Sequence, residues 1–274
     1  MWHGGAVSLD STGRGAPTSE IDFSALYDTH PEYVARREEG SLEQAQIDTE
    51  VRLFKLPNLM QLLPSSRQLR TVLEIGCATG ELIAALPVVP GARKVGIDIS
   101  AANIAVASTR YPDIEFHCSD FNALQGVKFD AVIMSDVLEH VPNDQEFLRA
   151  AAQLGEVVLV NLPLEDNWLN WMRDYGVNDV SGHLRKYSFA DGMRLFDLAG
   201  LDVLVHSQVW FHETAAELAR RALREQRLGS AFSGSWPERA AKRAIVMAAA
   251  AAPPLGRRIF SSNLFAMVCK RPSR

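Results

Sequence analysis

Cysteine is scarce in this chain, and the spacing of the cysteines argues against a fold stabilised by zinc or by disulfide bonds. The three cysteines, Cys77, Cys118 and Cys269, lie far apart, and no two of them form a CxxC pair. Neither a structural zinc site nor a disulfide framework is therefore expected. A reducing compartment is the default for such a sequence, so we predict a cytoplasmic protein.

Long apolar runs are also lacking. The uncharged run 244–255 is twelve residues long and contains two prolines, whereas about twenty apolar residues are needed to cross a bilayer. The first residues do not combine a charged region with an apolar one, as a secretory signal does. Residues 1–20 are instead rich in glycine, serine and threonine, and we expect them to be disordered.

Basic residues are few in the body of the chain. The formal net charge is −5, but residues 213–274 hold 12 Lys and Arg against 4 Asp and Glu, which leaves the rest strongly acidic. An acidic body is a poor surface for nucleic acid, so no nucleic-acid partner is expected. The basic segment 211–262 has two interpretations: peripheral contact with the inner face of an anionic membrane, or ordinary packing or a subunit interface.

Strand and helix patterns alternate along the middle of the chain, which is typical of a doubly wound α/β sheet. Strands are predicted at 71–75, 94–99, 114–118, 129–134, 156–161, 202–210 and 263–270. One helix is predicted to start with the apolar run 82–86. Further helices are predicted at 103–109, 143–154, 189–199, 214–228 and 237–252. Two or three helices, interrupted at Pro31 and Pro57, precede the first strand and either cover a substrate or simply pack on the core.

These elements are interpreted as one domain over residues 21–274. It comprises a helical cap (21–66), a ligand-binding core (67–210), a basic helical insertion between the sixth and seventh strands (211–262), and a final strand with its tail (263–274).

The first predicted strand leads into a glycine turn, Gly76-Cys-Ala-Thr-Gly80. Glycine lets a backbone approach a ligand closely, and the amide groups that open the next helix favour an anionic group. A nicotinamide dinucleotide would need G-x-G-x-x-G at this turn, which the sequence does not have. Glu74, just before the turn, would also repel a pyrophosphate but attract an ammonium group.

Acidic residues mark the ends of the neighbouring strands as well. Asp98 ends the second strand, Asp120 follows the third, and Ser135 and Asp136 follow the fourth. The carboxyl ends of parallel strands meet at one edge of a sheet, where ligands bind. Asp98 is placed to accept hydrogen bonds from both hydroxyls of a ribose, and Asp120 is placed to accept one from an adenine amino group. The row therefore predicts a site for a nucleoside with a cationic, amino-acid-like extension.

The segments VLEIGCATG, VGIDIS, CSDF and FDAVIMSDVLEHV follow one another over about residues 70–210. In this order they resemble the motifs of class I S-adenosylmethionine-dependent methyltransferases. The resemblance implies a Rossmann-like, seven-stranded sheet with an antiparallel last strand, and S-adenosylmethionine as cofactor. It implies cofactor contacts at Glu74, Gly76, Cys77, Ala78, Gly80, Asp98, Ile99, Asp120, Phe121, Ser135 and Asp136. Ala78 stands where many members have glycine, but its small size should preserve binding.

Two histidines are the catalytic candidates. Methyl transfer is an in-line displacement, which needs a base only when the acceptor holds its proton tightly, as an alcohol does. His140 follows the fourth strand and lies at the correct edge to be that base; a structural or substrate-shaping role is the alternative. His183 belongs to Gly182-His-Leu-Arg-Lys-Tyr-Ser188, which resembles an element of bacterial methyltransferases of glycan and natural-product pathways. That resemblance implies that His183 and Arg185 face the acceptor.

A metal site is an alternative role for the same region. Asp136, Glu139 and His140 have the spacing of one helical face, and with His183 they could hold a divalent ion. The set resembles the metal site of small-RNA 2′-O-methyltransferases, with Asp136 in place of a glutamate. RNA binding, however, needs a basic track that the acidic body lacks. We therefore predict no metal at the site, with a metal-dependent 2′-O-methyltransferase of the small-RNA type as an alternative.

The segment after the fifth strand is expected to overhang the site. Trp168 and Trp171 can stack on apolar faces, while Asn167 and Asn170 can bind hydroxyls; burial of both tryptophans in the core is the alternative. Together these features predict methyl transfer to a small-molecule, glycan or lipid-linked acceptor, at oxygen. The remaining alternatives are N- or C-methylation and a non-catalytic binding protein of the same fold.

Overall fold

The computed structural model of the chain describes residues 22–119, 124, 126–176, 179, 181–210, 215–228, 244–245, 247–248, 251–252, 256 and 258–272. The strands are β1 (Thr71–Ile75), β2 (Arg93–Asp98), β3 (Glu115–Cys118), β4 (Phe129–Ser135), β5 (Gly155–Leu164), β6 (Leu201–Trp210) and β7 (Ser262–Lys270). They form one sheet in the order β3-β2-β1-β4-β5-β7-β6.

The strand directions confirm the predicted fold class. The pairings among β1 to β5 are all parallel, whereas β7 runs antiparallel to both β5 and β6. Ile75 at the end of β1 lies opposite Ile97 of β2 and Met134 of β4, so these three strands end at the same level. Glu74, Asp98 and Asp136, three of the acidic residues predicted at strand ends, therefore lie along one edge of the sheet.

Helices cover both faces of the sheet, and each face has its own apolar cluster. They are α1 (Phe23–Thr29), α2 (Pro31–Arg37), α3 (Leu42–Glu50), α4 (Leu56–Met60), α5 (Glu81–Ala85), α6 (Ala101–Arg110), α7 (Asp144–Ala151), α8 (Phe189–Leu198) and α9 (Ala215–Leu228). Because β1, β4 and β5 are covered on both faces, they are continuous apolar runs. The central strands could therefore be recognised in the sequence.

The cap differs from the prediction at one proline. Pro31 opens α2 and does separate two helices, but Pro57 interrupts nothing. A π-helical turn, Val51–Lys55, joins α3 directly to α4, and Pro57 lies in the first turn of α4, where proline is tolerated. The sequence between Leu42 and Met60 is thus one uninterrupted rod.

Smaller differences concern the ends of elements. The predicted helix 143–154 ends earlier, at Ala151, and β5 continues past residue 161 to Leu164 because its last residues pair with the start of β7. The predicted helix 237–252 lies mostly outside the described residues, as does the segment 1–20. Among the helices that the structure describes, none combines the length and the apolar character required to cross a bilayer.

Candidate active site

The glycine turn between β1 and α5 has an unusual backbone. Gly76, Ala78 and Gly80 all have positive φ, at 74°, 45° and 88°. A Cβ atom at Gly76 would lie 2.7 Å from Val137, and one at Gly80 would lie 2.9 Å from Phe116. Glycine is therefore required at both ends of the turn, whereas Ala78 adopts a conformation that side chains disfavour.

Asp98 holds this turn in place. One carboxylate oxygen accepts a hydrogen bond from the Ala78 amide at 2.9 Å, and the other accepts one from the Ser100 amide at 2.9 Å. The side chain is buried, and burial raises its pKa. Ile99, the next residue, is exposed at the same edge. The structure thus places Asp98 and Ile99 beside the turn, as the sequence predicted.

Cys77 lies in the turn, but its side chain points the other way. It is buried, and a Cβ atom at Gly96 of β2 would lie 2.9 Å from its sulfur. Burial raises the pKa of the thiol, which keeps it protonated. Any contact of Cys77 with a ligand is therefore restricted to its backbone.

Glu74 is buried at the end of β1. One of its oxygens accepts a hydrogen bond from the Ile83 amide of α5 at 2.9 Å. Burial raises the pKa of Glu74 to about 8, and the nearby ammonium group of Lys55 only partly opposes this. A cationic ligand would favour the ionised form of Glu74 in the same way.

A cation from the cap also reaches this edge, although no local sequence pattern indicates it. The Lys55 ammonium group lies 2.7 Å from a carboxylate oxygen of Asp136, and its side chain is 22% exposed. Burial acts to lower the pKa of Lys55, but Asp136, Glu50 and Glu74 outweigh it, so the pKa is raised. Lys55 is therefore a charged member of the site.

Asp136 is held from the sheet side as well. Its φ is 56°, and its carboxylate accepts hydrogen bonds from the Ser135 hydroxyl at 3.1 Å and the Asn161 side-chain amide at 3.3 Å. The side-chain oxygen of Asn161 in turn accepts a hydrogen bond from the side-chain amide of Asn263, in β7, at 2.8 Å. The expectation that Asp136 shares a helical face with Glu139 and His140 is wrong, because a 3₁₀ turn begins only at Leu138.

The third strand end is described only in part. The predicted contacts Asp120 and Phe121 lie outside the described residues. Ser119, just before them, donates its backbone N–H to the Asp98 carbonyl at 3.1 Å. The adenine contacts at this position remain a prediction.

The two histidines, far apart in the sequence, meet beyond β4. Their ring centroids lie 4.7 Å apart at an interplanar angle of 89°. His140 Nδ1 lies 3.0 Å from the Gly182 carbonyl oxygen, and His183 Nδ1 lies 2.6 Å from a carboxylate oxygen of Glu165. Burial and the neighbouring His183 lower the pKa of His140 to about 4. Its imidazole is therefore neutral at physiological pH.

The charges around His183 come from one loop. Arg173 donates to Glu165 at 2.7 Å and makes a two-pronged ion pair with Asp179 at 2.7 and 2.9 Å. Asp179 also accepts a hydrogen bond from the His183 amide at 3.1 Å. This network fixes both the backbone and the ring of His183.

The guanidinium group of Arg185, which was expected to face the acceptor, is bound by protein groups at the start of α7. It donates to the Pro142 carbonyl at 2.7 Å and pairs with Asp144, at the start of α7, at 3.0 Å. Tyr187 also donates to Asp144, at 2.6 Å, and Ser188 caps α8. Apart from His183, these polar residues of the motif 182–188 hold the two helices in place.

The loop that follows β5 and contains the 3₁₀ turn Trp168–Asn170 also differs in part from the prediction. Asn167 and Asn170 both donate to the Ser261 hydroxyl, at 3.1 and 3.2 Å, and so tie the loop to the start of β7. Trp168 and Trp171 are 63% and 74% exposed, so the alternative of core burial is wrong. With Met172, 78% exposed, they form an apolar rim.

The cap lies over both halves of the site. Ser24 of α1 donates to the Ile99 carbonyl at 3.1 Å, and Asp28 accepts from the Ser100 hydroxyl at 2.5 Å. On the other side, the Tyr27 ring packs edge-on against His140, with centroids 6.0 Å apart. The first helix therefore connects the edge at Asp98 with the histidine pair.

Comparison with known proteins gives the chain a family context. A family model described as "Methyltransferase domain" matches residues 46–206, more than half of the chain. The chain is 35% identical over 105 residues to the ubiquinone biosynthesis O-methyltransferase of Bradyrhizobium sp. (strain ORS 278), covering 35% of this chain and 41% of that protein. It is 41% identical over 46 residues to the demethylmenaquinone methyltransferase of Chlorobaculum parvum, covering 17% of this chain and 19% of that protein. The chain thus matches less than half of either relative.

A solved structure extends the similarity to nearly the whole chain. The magnesium protoporphyrin IX methyltransferase of Synechocystis PCC 6803, crystallised with bound SAH, superposes with a TM-score of 0.54 at 16% identity. The match covers 90% of this chain and 98% of that one. At this identity, the similarity concerns the fold.

Proposed function

This chain belongs to the family of methyltransferase domains and is a class I S-adenosylmethionine-dependent methyltransferase, and we propose that it methylates an oxygen atom of a small-molecule, glycan or lipid-linked acceptor. The observation that supports oxygen is the pair of histidines, His140 and His183, placed just beyond the glycine turn. Val137, whose side chain would lie 2.7 Å from a Cβ atom at Gly76, precedes the 3₁₀ turn that ends at His140. The names of relatives that methylate oxygen in quinone biosynthesis agree with this choice.

In this proposal the row at the sheet edge holds the cofactor. The turn from Gly76 to Gly80 lies against the amino-acid part of the cofactor. Asp98 accepts hydrogen bonds from the ribose hydroxyls, and the carboxylate of Glu74 binds the ammonium group. Lys55 is the counter-charge for the cofactor's carboxylate, since it already lies among carboxylates in this structure. Ser135 and Asp136 close the row on the side of the acceptor.

The histidine pair supplies what an alcohol acceptor needs. When the acceptor oxygen attacks the methyl carbon, the carbon–sulfur bond breaks and the sulfonium becomes a neutral thioether, while the hydroxyl proton must leave. His140 is neutral at physiological pH because its pKa is about 4, and His183 is oriented by Glu165. Both rings therefore have a nitrogen atom that can act on the hydroxyl.

The apolar rim supports an amphipathic or lipid-linked acceptor. Trp168, Trp171 and Met172 expose aromatic and thioether surface beside the loop that carries Arg173. Tryptophan favours the boundary between water and lipid. Peripheral contact of the segment 211–262 with an anionic membrane is part of the same proposal.

Transfer of an isotopically labelled methyl group tests the proposed reaction. The purified protein is incubated with methyl-labelled S-adenosylmethionine and matched acceptors that carry either a hydroxyl or an amine on the same prenylated or glycosylated skeleton. We expect label on oxygen, identified by mass spectrometry. Label found only on nitrogen or carbon would contradict the assignment of oxygen. If calorimetry detected no binding of S-adenosylmethionine, the proposed methyl transfer would itself be contradicted.

Glu74 makes cofactor binding dependent on pH. Its pKa of about 8 means that it is protonated in the free protein at neutral pH, and the cationic cofactor must displace that proton. Apparent affinity should therefore rise by up to about tenfold per pH unit between pH 6 and 8. Above about pH 8 the α-amino group of the cofactor loses its own charge, and the gain should stop.

Calorimetry of S-adenosylmethionine binding at several pH values measures this dependence. In buffers of different ionisation enthalpy, binding to the wild-type protein at pH 7 should release protons from Glu74. Glu74→Gln keeps an acceptor for the Ile83 amide but cannot ionise, so its affinity should vary much less over this range. An equal pH dependence in the two proteins would show that Glu74 is not the titrating group.

A further inference from the structure

Glu139 is a buried carboxylate to which no other residue in the described part of the chain donates a hydrogen bond. Its side chain is 1% exposed, and neither carboxylate oxygen has a hydrogen bond from any residue that the structure describes. Burial, together with Asp136 and Glu165, raises its pKa. Buried polar groups are almost always satisfied, and a pair of unsatisfied oxygens on one buried carboxylate points to a missing ligand.

The two imidazoles beside Glu139 are oriented as metal ligands are. Nδ1 of His140 lies against the Gly182 carbonyl and Nδ1 of His183 against the Glu165 carboxylate, so both Nδ1 atoms are hydrogen-bond donors when the rings are neutral. The Nε2 atoms then keep their lone pairs. His140 Nε2 lies 3.8 Å from a Glu139 oxygen, and one ligand atom from each of the three residues lies within 4.8 Å of the others.

We propose that Glu139, His140 and His183 bind one divalent transition-metal ion. Ligand atoms about 2.1 Å from a common ion lie within roughly 4 Å of each other, so small side-chain rotations would complete the site. Two imidazoles and one carboxylate suit zinc, iron, cobalt, nickel or manganese, and leave coordination positions open. Asp136 is not part of the set, because it is paired with Lys55.

The surroundings already supply the second layer of a metal site. Histidine ligands are usually oriented by a carboxylate or carbonyl on their other nitrogen, which also makes them stronger ligands. Glu165 and the Gly182 carbonyl do this here, and Arg173 holds Glu165 at 2.7 Å. Protein groups thus fix the orientation of both histidine rings.

The bound ion would also provide a binding position for the acceptor, an inference that rests on the proposed O-methylation. An acceptor hydroxyl would occupy an open coordination position, where a metal ion lowers its pKa. His140 and His183 would then act on the hydroxyl through the ion. The acceptors favoured by such a site carry hydroxyl or enol oxygens, and vicinal diols can bind through two of them.

Cobalt(II) titration of the purified, chelator-treated protein tests the site. We expect visible d–d absorption that saturates at one ion per chain, as measured by elemental analysis. His183→Gln and Glu139→Gln should each weaken binding by more than about 100-fold, the upper range for loss of a supporting group. His117→Gln is the matched control, because His117 also lies beside a glutamate, Glu115, at 2.7 Å but on the exposed β3. It should bind cobalt as the wild type does.

Two results would overturn the site: no cobalt spectrum in the wild-type protein, or equal binding in the wild type and both site variants. Thermal unfolding curves identify a variant that has lost its fold, and the wild-type titration decides the question without any variant. Calorimetry with S-adenosylmethionine on the chelated protein keeps the two proposals apart. Cofactor binding without cobalt binding would overturn the metal site alone, whereas cobalt binding without cofactor binding would overturn the proposed function.

Discussion

Asp98→Ala is expected to weaken the binding of S-adenosylmethionine by about 100-fold or more, measured by isothermal titration calorimetry. A carboxylate that accepts both ribose hydroxyls makes two charge-assisted hydrogen bonds, each worth about 1.5–3 kcal/mol. A loss of about 3 kcal/mol corresponds to two orders of magnitude in affinity. The same substitution also removes the acceptor of the Ala78 amide, which holds the strained glycine turn.

A second aspartate provides the matched control for that structural effect. Asp130 accepts hydrogen bonds from the Arg70 and Thr71 amides at 2.6 and 2.9 Å, but near the start of β4, at the opposite edge of the sheet. Asp130→Ala should lower the melting temperature and leave cofactor affinity unchanged. Undiminished cofactor binding by Asp98→Ala would remove the carboxylate from the ribose site, and an equal loss in both variants would indicate a general effect of destabilisation.

The parts of the site that the sequence predicts are those set by local pattern. β1 was predicted over its observed range because a buried apolar run leads directly into the glycine turn. Asp98 and Asp136 were placed at the correct edge because parallel strands that follow one another in a doubly wound sheet end on the same side. His140 follows from the same rule, since it lies a few residues beyond β4.

The residues that were missed or misplaced depend on contacts between distant segments. Lys55 lies in a helical rod whose pattern predicts packing, and nothing near it in the sequence indicates a partner at residue 136. Asn161 and Asn263 meet only because β7 inserts between β5 and β6. Arg185 was assigned to the acceptor by resemblance, but the start of α7 binds its guanidinium.

Exposure of the tryptophans was equally undetermined. A pattern of Trp168, Asn170 and Trp171 suits either a core or a surface, because burial depends on what covers the loop. In the structure the asparagines bind Ser261 and turn the tryptophans outward. Glu165 was missed for a related reason, since its role comes from His183, which lies eighteen residues further along the chain.

His183→Ala should lower kcat for methyl transfer by about 10²–10⁴-fold, the usual range for loss of a group that acts on the transferred proton. The substitution removes one of the two imidazoles near Glu139, and the described contacts of His183 are with Glu165, Asp179 and His140, none of which belongs to the glycine turn. The Kd for S-adenosylmethionine should therefore stay close to that of the wild type. Single-turnover kinetics with the methylated product as readout, combined with calorimetry for the cofactor, separate the two quantities.

Two variants of Glu165 distinguish chemistry at His183 from general damage to the loop. Glu165→Gln retains an oxygen that can accept from His183 Nδ1, whereas Glu165→Ala removes it and also leaves Arg173 without one of its two carboxylates. Transfer should decrease less in Glu165→Gln than in Glu165→Ala, with cofactor binding retained in both. A kcat for His183→Ala within about threefold of the wild type would exclude His183 from the reaction, because neither a base nor a metal ligand at this position is dispensable.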